Sequence, residues 1–322
     1  MAFTITPTDL TKSFVTYRKD LVQVPMLAMN EALQHMSVRT GIRYKEYVSQ
    51  IGGKFQIGNY KKDKKGNGAV TIKGRAFETF FGNIVEPIDP NALYQTIWGS
   101  NVTKGEGLKN VPAALQVCAY MMKQVGENLL LNLFTAKHDA SNYDSTAKFF
   151  NGFKSIVEAD ITAGEVSEAK KNLKEGSASI SESNAEDVIK EFYWSREPQL
   201  RQQKLKLFLS DMAYHYYTEA YQAAHGALPY NTAYDKKTLE GASNVEIVPL
   251  ACVPDDFMVL TPKSNIYALF NQKTEDETFI VERSLDNHYD VDFLCNMFFG
   301  TQFESVDPGV FSVWQKKAAV GG

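Results

Sequence analysis

The chain has little cysteine. Its three residues of that type, Cys118, Cys252 and Cys295, are odd in number and far apart, which argues against a disulfide framework and fits a reducing cytoplasm. None has a second Cys or His at metal-ligand spacing, so each is expected as a small buried apolar group. No stretch approaches the roughly 20 apolar residues that cross a bilayer. Met1 to Leu10 lacks a basic region followed by an apolar run, so no secretory signal is read there. In a cytoplasmic chain, the glycosylation pattern Asn101-Val102-Thr103 never meets its enzymes. An excess of one charge is absent too: 34 basic and 38 acidic residues leave a net −4. Proteins that grip nucleic acid tightly neutralise phosphates and are usually basic, so tight binding of that kind is not expected.

Motifs that carry chemistry are missing as well. A phosphate-binding loop needs Gly, four residues, then Gly-Lys and Ser or Thr. Here Gly53-Lys54 is followed by Phe55, and Val48 stands where the first Gly belongs. Gly66-Asn67-Gly68 has no third Gly in place and sits between two strand-like runs, where a flexible turn explains it better. The histidines His35, His138, His215, His225 and His288 include no pair four residues apart. His138 follows a predicted helix, where a cation meets the favourable end of the dipole. His288 lies among Asp286, Asp290 and Asp292, but Asp290 and Asp292 alternate with Val291 and Phe293 in the pattern of a solvated sheet face. No Gly-x-Ser-x-Gly elbow occurs, and Glu275-Asp276-Glu277 reads as an acidic turn. No catalytic, cofactor or metal residue is assigned, and a non-enzymatic role is expected.

What the chain does have is length and aromatic surface. Its 322 residues suffice for about two domains or one large elaborated one. Apolar residues make up 44% and aromatics 12%, enough for a sizeable core with aromatic area left for subunit contacts. Residues 1–25 read as an arm between Pro7 and Pro25, and a short helix follows with Met26, Met29 and Leu33 on one face. Residues 54–73 read as a hairpin whose link, Lys61 to Gly68, is too polar for a core. Lys61, Lys62, Lys64 and Lys65 in that link fit a solvated turn equally well as an assembly contact with phosphate or with an acidic patch on a neighbouring subunit.

The strongest helix pattern spans 111–137, with Asn110 as cap, Pro112 in the first turn, and Leu115, Cys118, Met122, Val125, Leu129 and Leu133 on one face. Residues 160–183 are polar and read as a surface loop. Ser183-Asn184-Ala185-Glu186 then resembles a capping box. A strand from Lys204 to Leu209 precedes a helix capped by Asp211 and ended by Gly226. Strands are expected at Val245 to Val248, Phe257 to Thr261, Phe279 to Arg283 and Tyr289 to Phe299. Helices and strands fall in separate runs, so the fold class is α+β.

The order of arm, hairpin, long helix and late strands is specific in one stretch. Thr238-Leu239-Glu240-Gly241 precedes Val245-Glu246-Ile247-Val248-Pro249. The run from Val253-Pro254-Asp255-Asp256 through Thr261-Pro262-Lys263-Ser264-Asn265 follows, and later Phe299-Gly300-Thr301-Gln302, read as a turn. This order resembles the Hong Kong 97-type major capsid proteins of tailed bacteriophages. The resemblance implies an N-terminal arm with a short helix at 1–44, an extended E-loop hairpin region at 45–100, and a peripheral domain with a spine helix at 101–150. It further implies an axial domain at 151–250 and strands returning to the peripheral domain at 251–322. The large coiled N-terminal region that serves some members as a fused scaffold is not seen. The function implied is a structural subunit that assembles with itself, as pentamers and hexamers, into an icosahedral head around double-stranded DNA. Portal, scaffold and decoration proteins are implied as further partners. DNA contact would be loose, no membrane is involved, no cofactor is needed, and the virion capsid would be assembled in the host bacterial cytoplasm. An encapsulin-like compartment around cargo enzymes uses the same fold and stays open as the alternative, as does an enzyme whose site no motif reveals.

Overall fold

The computed structural model describes residues 28–52, 59–62, 71–88, 112–225, 232–233, 236–271, 279–285 and 291–317, with the backbone alone at 50–52, 71–73, 88, 112–118, 232–233, 236, 279–283 and 291. A short helix α1 (Asn30–Leu33) leads into strands β1 (Ser37–Thr40), β2 (Lys45–Gly52), β3 (Thr71–Glu78) and β4 (Phe80–Ile88). Helices α2 (Pro112–Leu131) and α3 (Phe153–Thr162) follow, then β5 (Leu173–Gly176), α4 (Ala185–Trp194), α5 (Pro198–Arg201), β6 (Leu205–Leu209) and α6 (Asp211–His225). The rest is strand: β7 (Thr232–Ala233), β8 (Lys236–Leu239), β9 (Ala242–Pro249), β10 (Phe257–Thr261), β11 (Ile266–Phe270), β12 (Phe279–Arg283), β13 (Val291–Phe303) and β14 (Ser312–Lys316).

These strands form a seven-stranded sheet in the order β5-β14-β10-β6-β9-β8-β7, a five-stranded sheet, and the separate hairpin β2-β3. In the five-stranded sheet, β13 is the centre. It pairs with β12 and β11 in succession and with β4 over nine register pairs from Val291↔Ile88 to Phe299↔Phe80. Both faces of the seven-stranded sheet are covered, and the period-2 rule shows it. Phe208, Val248, Phe257, Val259 and Val313 point into one core with Leu129, Leu133, Phe134, Phe150, Phe153, Phe299 and Phe303. Their neighbours Leu205, Leu207, Leu209, Ile247, Met258, Leu260 and Trp314 point into a second core against α4 and α6. The first core therefore joins the two sheets through α2, α3 and their connecting turns.

Several sequence-based expectations hold and several change. The α+β class is confirmed, and β10 and β12 have the expected bounds. Met122, Leu129 and Leu133 are buried as the helical period requires, while the side chains of Leu115 and Cys118 and the cap Asn110 lie outside the described residues. The long helix ends at Leu131 and not at 137. The Ala136 amide still bonds the Asn132 carbonyl, but the chain from 132 onward turns back so that Phe134 and Ala136 enter the core. The hairpin ladder begins at Lys45↔Glu78, well before residue 54; residues 54–58 and 63–70 of the expected hairpin lie outside the described ones.

The largest correction concerns 160–183. Its polar composition hides β5, which pairs in parallel with β14 at the edge of the seven-stranded sheet. Buried Asn172 donates through Nδ2 to the Val306 carbonyl at 2.6 Å and to the Glu165 carbonyl at 3.0 Å. Val166 and Leu173 of the same stretch enter the first core and Ile180 the second. Two caps also shift by one residue. Asn184, not Ser183, stands at the start of α4, its Oδ1 accepting from the Ser181 amide at 2.8 Å. Ser210 Oγ, not Asp211, accepts the Ala213 amide of α6 at 3.0 Å. The proposed end of that helix, Gly226, lies outside the described residues. Finally, Phe299-Gly300-Thr301-Gln302 is strand within β13 and not a turn.

Candidate assembly surface

The β2-β3 hairpin stands off the two sheets, so the groups that fix its base decide where its far end goes. A parallel contact of side chains does this at β3. Arg75 Nη2 lies 2.6 Å from Asp160 Oδ2 at the end of α3 and 3.1 Å from Gln302 Oε1 in β13, while its Nη1 lies 3.3 Å from Asp160 Oδ1. Gln302 returns a bond from Nε2 to the Ala76 carbonyl at 2.9 Å. This two-pronged guanidinium–carboxylate geometry is the strong form of an ion pair, and both partners are mostly shielded from water. Phe77 beside them is fully buried against Ile42 and Leu269. At the other strand, Tyr44 adopts φ 62°, a left-handed conformation that a non-glycine residue takes at some cost. Its ring meets Phe298 edge-on at 5.2 Å.

Of the lysines singled out in the hairpin link, Lys61 and Lys62 are exposed, next to Tyr60, whose exposure is 93%. Lys64 and Lys65 lie outside the described residues. The face of the five-stranded sheet that carries Phe81, Val85 and Phe298 leaves the first two about half exposed, with the Phe81 and Phe298 rings 4.7 Å apart and tilted by 43°. Large apolar side chains left in water on one sheet face are what a subunit contact uses.

On the opposite face of β4 a cleft of about 570 Å³ opens towards the chain that follows α2. Gly82 lets Phe149 pack against the strand, since a Cβ there would sit 2.5 Å from the ring. His138 lines the cleft, its ring 4.1 Å from that of Phe80 and its Nδ1 2.9 Å from the Phe149 carbonyl. It is therefore not the helix-end cation read from the sequence, because the helix has ended seven residues earlier. Asp139 next to it accepts from the Ser141 hydroxyl at 2.6 Å and amide at 3.0 Å, bonds that hold its carboxyl below the usual range.

The other polar groups serve the fold. Arg196 is buried and donates to the carbonyls of Phe192, Lys171 and Leu173 and to Ser312 Oγ, with desolvation lowering its pKa. Glu246 takes Lys206 Nζ at 2.6 Å and faces His35 Nδ1 at 3.2 Å. Burial first, and Lys206 next, lower the His35 pKa; Lys206 Nζ, the ionic partner of Glu246, also lies 3.3 Å from His35 Nδ1. Glu186 meets Lys190 and, at 3.1 Å, His225 Nε2, which joins α4 to α6. Burial raises its pKa, and those two partners more than offset it. His288, Asp286 and Asp290 lie outside the described residues, as do Glu275, Asp276 and Glu277. Among the described residues no three His, Cys, Asp or Glu side chains converge as metal ligands, and no helix is long and apolar enough to cross a membrane. No local pattern in the sequence signals the Arg75 cluster, whose members stand 85 and 227 residues apart.

No family model matches the sequence, and no curated protein matches it. Solved structures do. The procapsid of satellite phage P4, including its size determination protein, superposes with a TM-score of 0.62 at 12% identity, covering 92% of this chain and 90% of that one. The capsid asymmetric unit of cyanophage A-1(L) gives 0.55 at 13% identity, covering 92% and 93%. The holo-SrpI encapsulin complex of Synechococcus elongatus gives 0.51 at 11% identity, covering 88% and 86%. The chain has the fold of the phage capsid proteins, over nearly its whole length and theirs.

Proposed function

We propose that the chain is the major capsid protein of a tailed bacteriophage, a structural subunit that builds an icosahedral head around double-stranded DNA. The observation that supports this reading is the match over 90–93% of both chains to capsid proteins, at identities of 12–13%. In this reading β2-β3 is the E-loop, α2 the spine of the peripheral domain, α3 to β9 the axial domain, and the late strands the return to the peripheral domain. The four lysines from Lys61 to Lys65 contact a neighbouring subunit. Self-association through pentamers and hexamers, portal, scaffold or decoration proteins as further partners, loose contact with DNA and assembly in the host cytoplasm belong to the same proposal.

A protein compartment of the encapsulin kind has a specific observation in its favour, the match to the encapsulin of Synechococcus elongatus. Analysis of particle contents separates the two. Particles purified from the native host should contain nuclease-protected DNA of uniform length. Particles holding one abundant enzyme and no protected DNA would assign the chain to a compartment instead.

A further inference from the structure

His35 joins the end of α1 to the seven-stranded sheet, at a point where one ring nitrogen has two partners. Its Nδ1 lies 3.2 Å from Glu246 Oε1 on β9 and 3.3 Å from Lys206 Nζ on β6. Lys206 Nζ in turn lies 2.6 Å from Glu246 Oε2. A carboxylate only accepts and an ammonium only donates, so Nδ1 cannot serve both at once. Bare, it accepts from Lys206; carrying a proton, it donates to Glu246. In the imidazolium both ring nitrogens carry protons, and a positive ring then stands against the Lys206 ammonium in competition for one carboxylate. Lys263, in the turn before β11, also faces the ring. Protonation therefore sets three cations around Glu246. The acidic residue of α1 itself, Glu31, is exposed one turn back.

The junction decides how α1 is held. Its apolar side, Met29, Ala32, Leu33 and Met36, is buried in the first core. Its polar ties gather at the far end: Lys263 Nζ donates to the Gln34 carbonyl at 2.7 Å, and Ser37 Oγ donates to the Lys263 carbonyl at 2.8 Å. A helix of four residues does not persist on its own backbone bonds, so these contacts with the sheets keep it formed. We propose that His35 is a pH-operated latch, which in its neutral form closes α1 onto β6 and β9 and in its protonated form opens that contact while the sheets stay folded. Residues 1–27 precede α1, so the latch also sets where that segment is tethered. Burial of the ring acts in the same direction, against the charged form.

The latch does not depend on the shell reading, and hydrogen exchange of the full chain tests it without particles. Rates are corrected for the intrinsic pH dependence of exchange. Between about pH 7.5 and pH 5, the bonded amides of Ala32 to Met36 should open about threefold more often. Those of β10, buried at every position, should not change. His35→Gln should abolish the increase. Lys206→Gln, which removes the competing cation, should reduce it by about half or more. At pH 7.5 both variants should match the wild type in β10, which shows that the sheet is intact. Flat exchange in the wild type, an increase shared equally by β10, or an increase of wild-type size in either variant would overturn the latch and leave the shell reading untouched.

Discussion

At the scale of single residues, buried polar groups carry the most pointed expectations. Arg75→Ala removes two charge-assisted bonds to Asp160 and two to Gln302, and hydrogen bonds to charged groups are worth about 1.5–3 kcal/mol. Thermal melts should show a modest loss of stability. Limited proteolysis should show a larger effect, faster cleavage within the hairpin, because its anchor to the body is gone. Unchanged cleavage would mean that Phe77 alone holds the hairpin. His35 gives a pH signature. Its pKa lies below 6.5, so the unfolded chain takes up a proton before the folded one does. The stability this group contributes is present above 6.5 and lost as pH falls below it. His35→Gln should flatten the fall in melting temperature between about pH 7 and pH 5. The charged groups facing the ring are Lys206, Glu246 and Lys263. Burial pushes the thiols of Cys252 and Cys295 up to about 12, so neither should react with a thiol reagent at pH 8 in the native protein. Residue identities at this scale were legible only where a period marked them. Met122 and Leu129 could be placed inside from spacing, but Asn172 and the Arg75 cluster could not, since a polar residue with a distant buried partner looks like any surface residue.

Elements were legible in proportion to how one-sided their surroundings are. Helix α2 has one apolar face, and its period survives in the sequence. Leu129→Ala should cost about 2–5 kcal/mol, because the side chain is 1% exposed within the core that also holds Phe299 and Phe303. Lys123→Ala removes only an exposed pair with Glu127 at 3.3 Å, worth about 0.5 kcal/mol. Equal melting of the two variants would contradict the placement of the helix. Among the strands that escaped notice, β11 and β14 are buried on both faces and β5 is short. In β14 both Val313 and Trp314 are buried, on opposite faces, and β11 is buried at four of five positions, so neither alternates. Strand β5 has only four residues, Leu-Lys-Glu-Gly, and its polarity reads as loop. That correction reverses an experimental expectation. Replacing 162–180 by a short flexible link, harmless for a loop, should yield insoluble protein, because it removes the edge strand beside β14 together with Asn172 and Leu173. A folded, soluble deletion product would show that the sheet closes without β5.

For the molecule as a whole, the fold class and the order of hairpin, long helix and late strands were readable because they depend on element order rather than on any one contact; the arm read at 1–25 lies outside the described residues. What a subunit does with its surfaces was not readable, since an exposed side chain has meaning only against a second copy. Half-exposed Phe81 and Val85 on one face of β4, the cleft on the other, and a hairpin clamped at its base but reaching outward all leave surface that one chain does not bury. The central claim is that the chain completes itself by assembling with copies of itself into a closed shell. Electron microscopy of the purified protein tests it most directly. The account predicts hollow, closed particles of uniform diameter, or rings of subunits that close into them as concentration rises. A dispersed monomer at every concentration and in every buffer, with its partner proteins supplied, would contradict it.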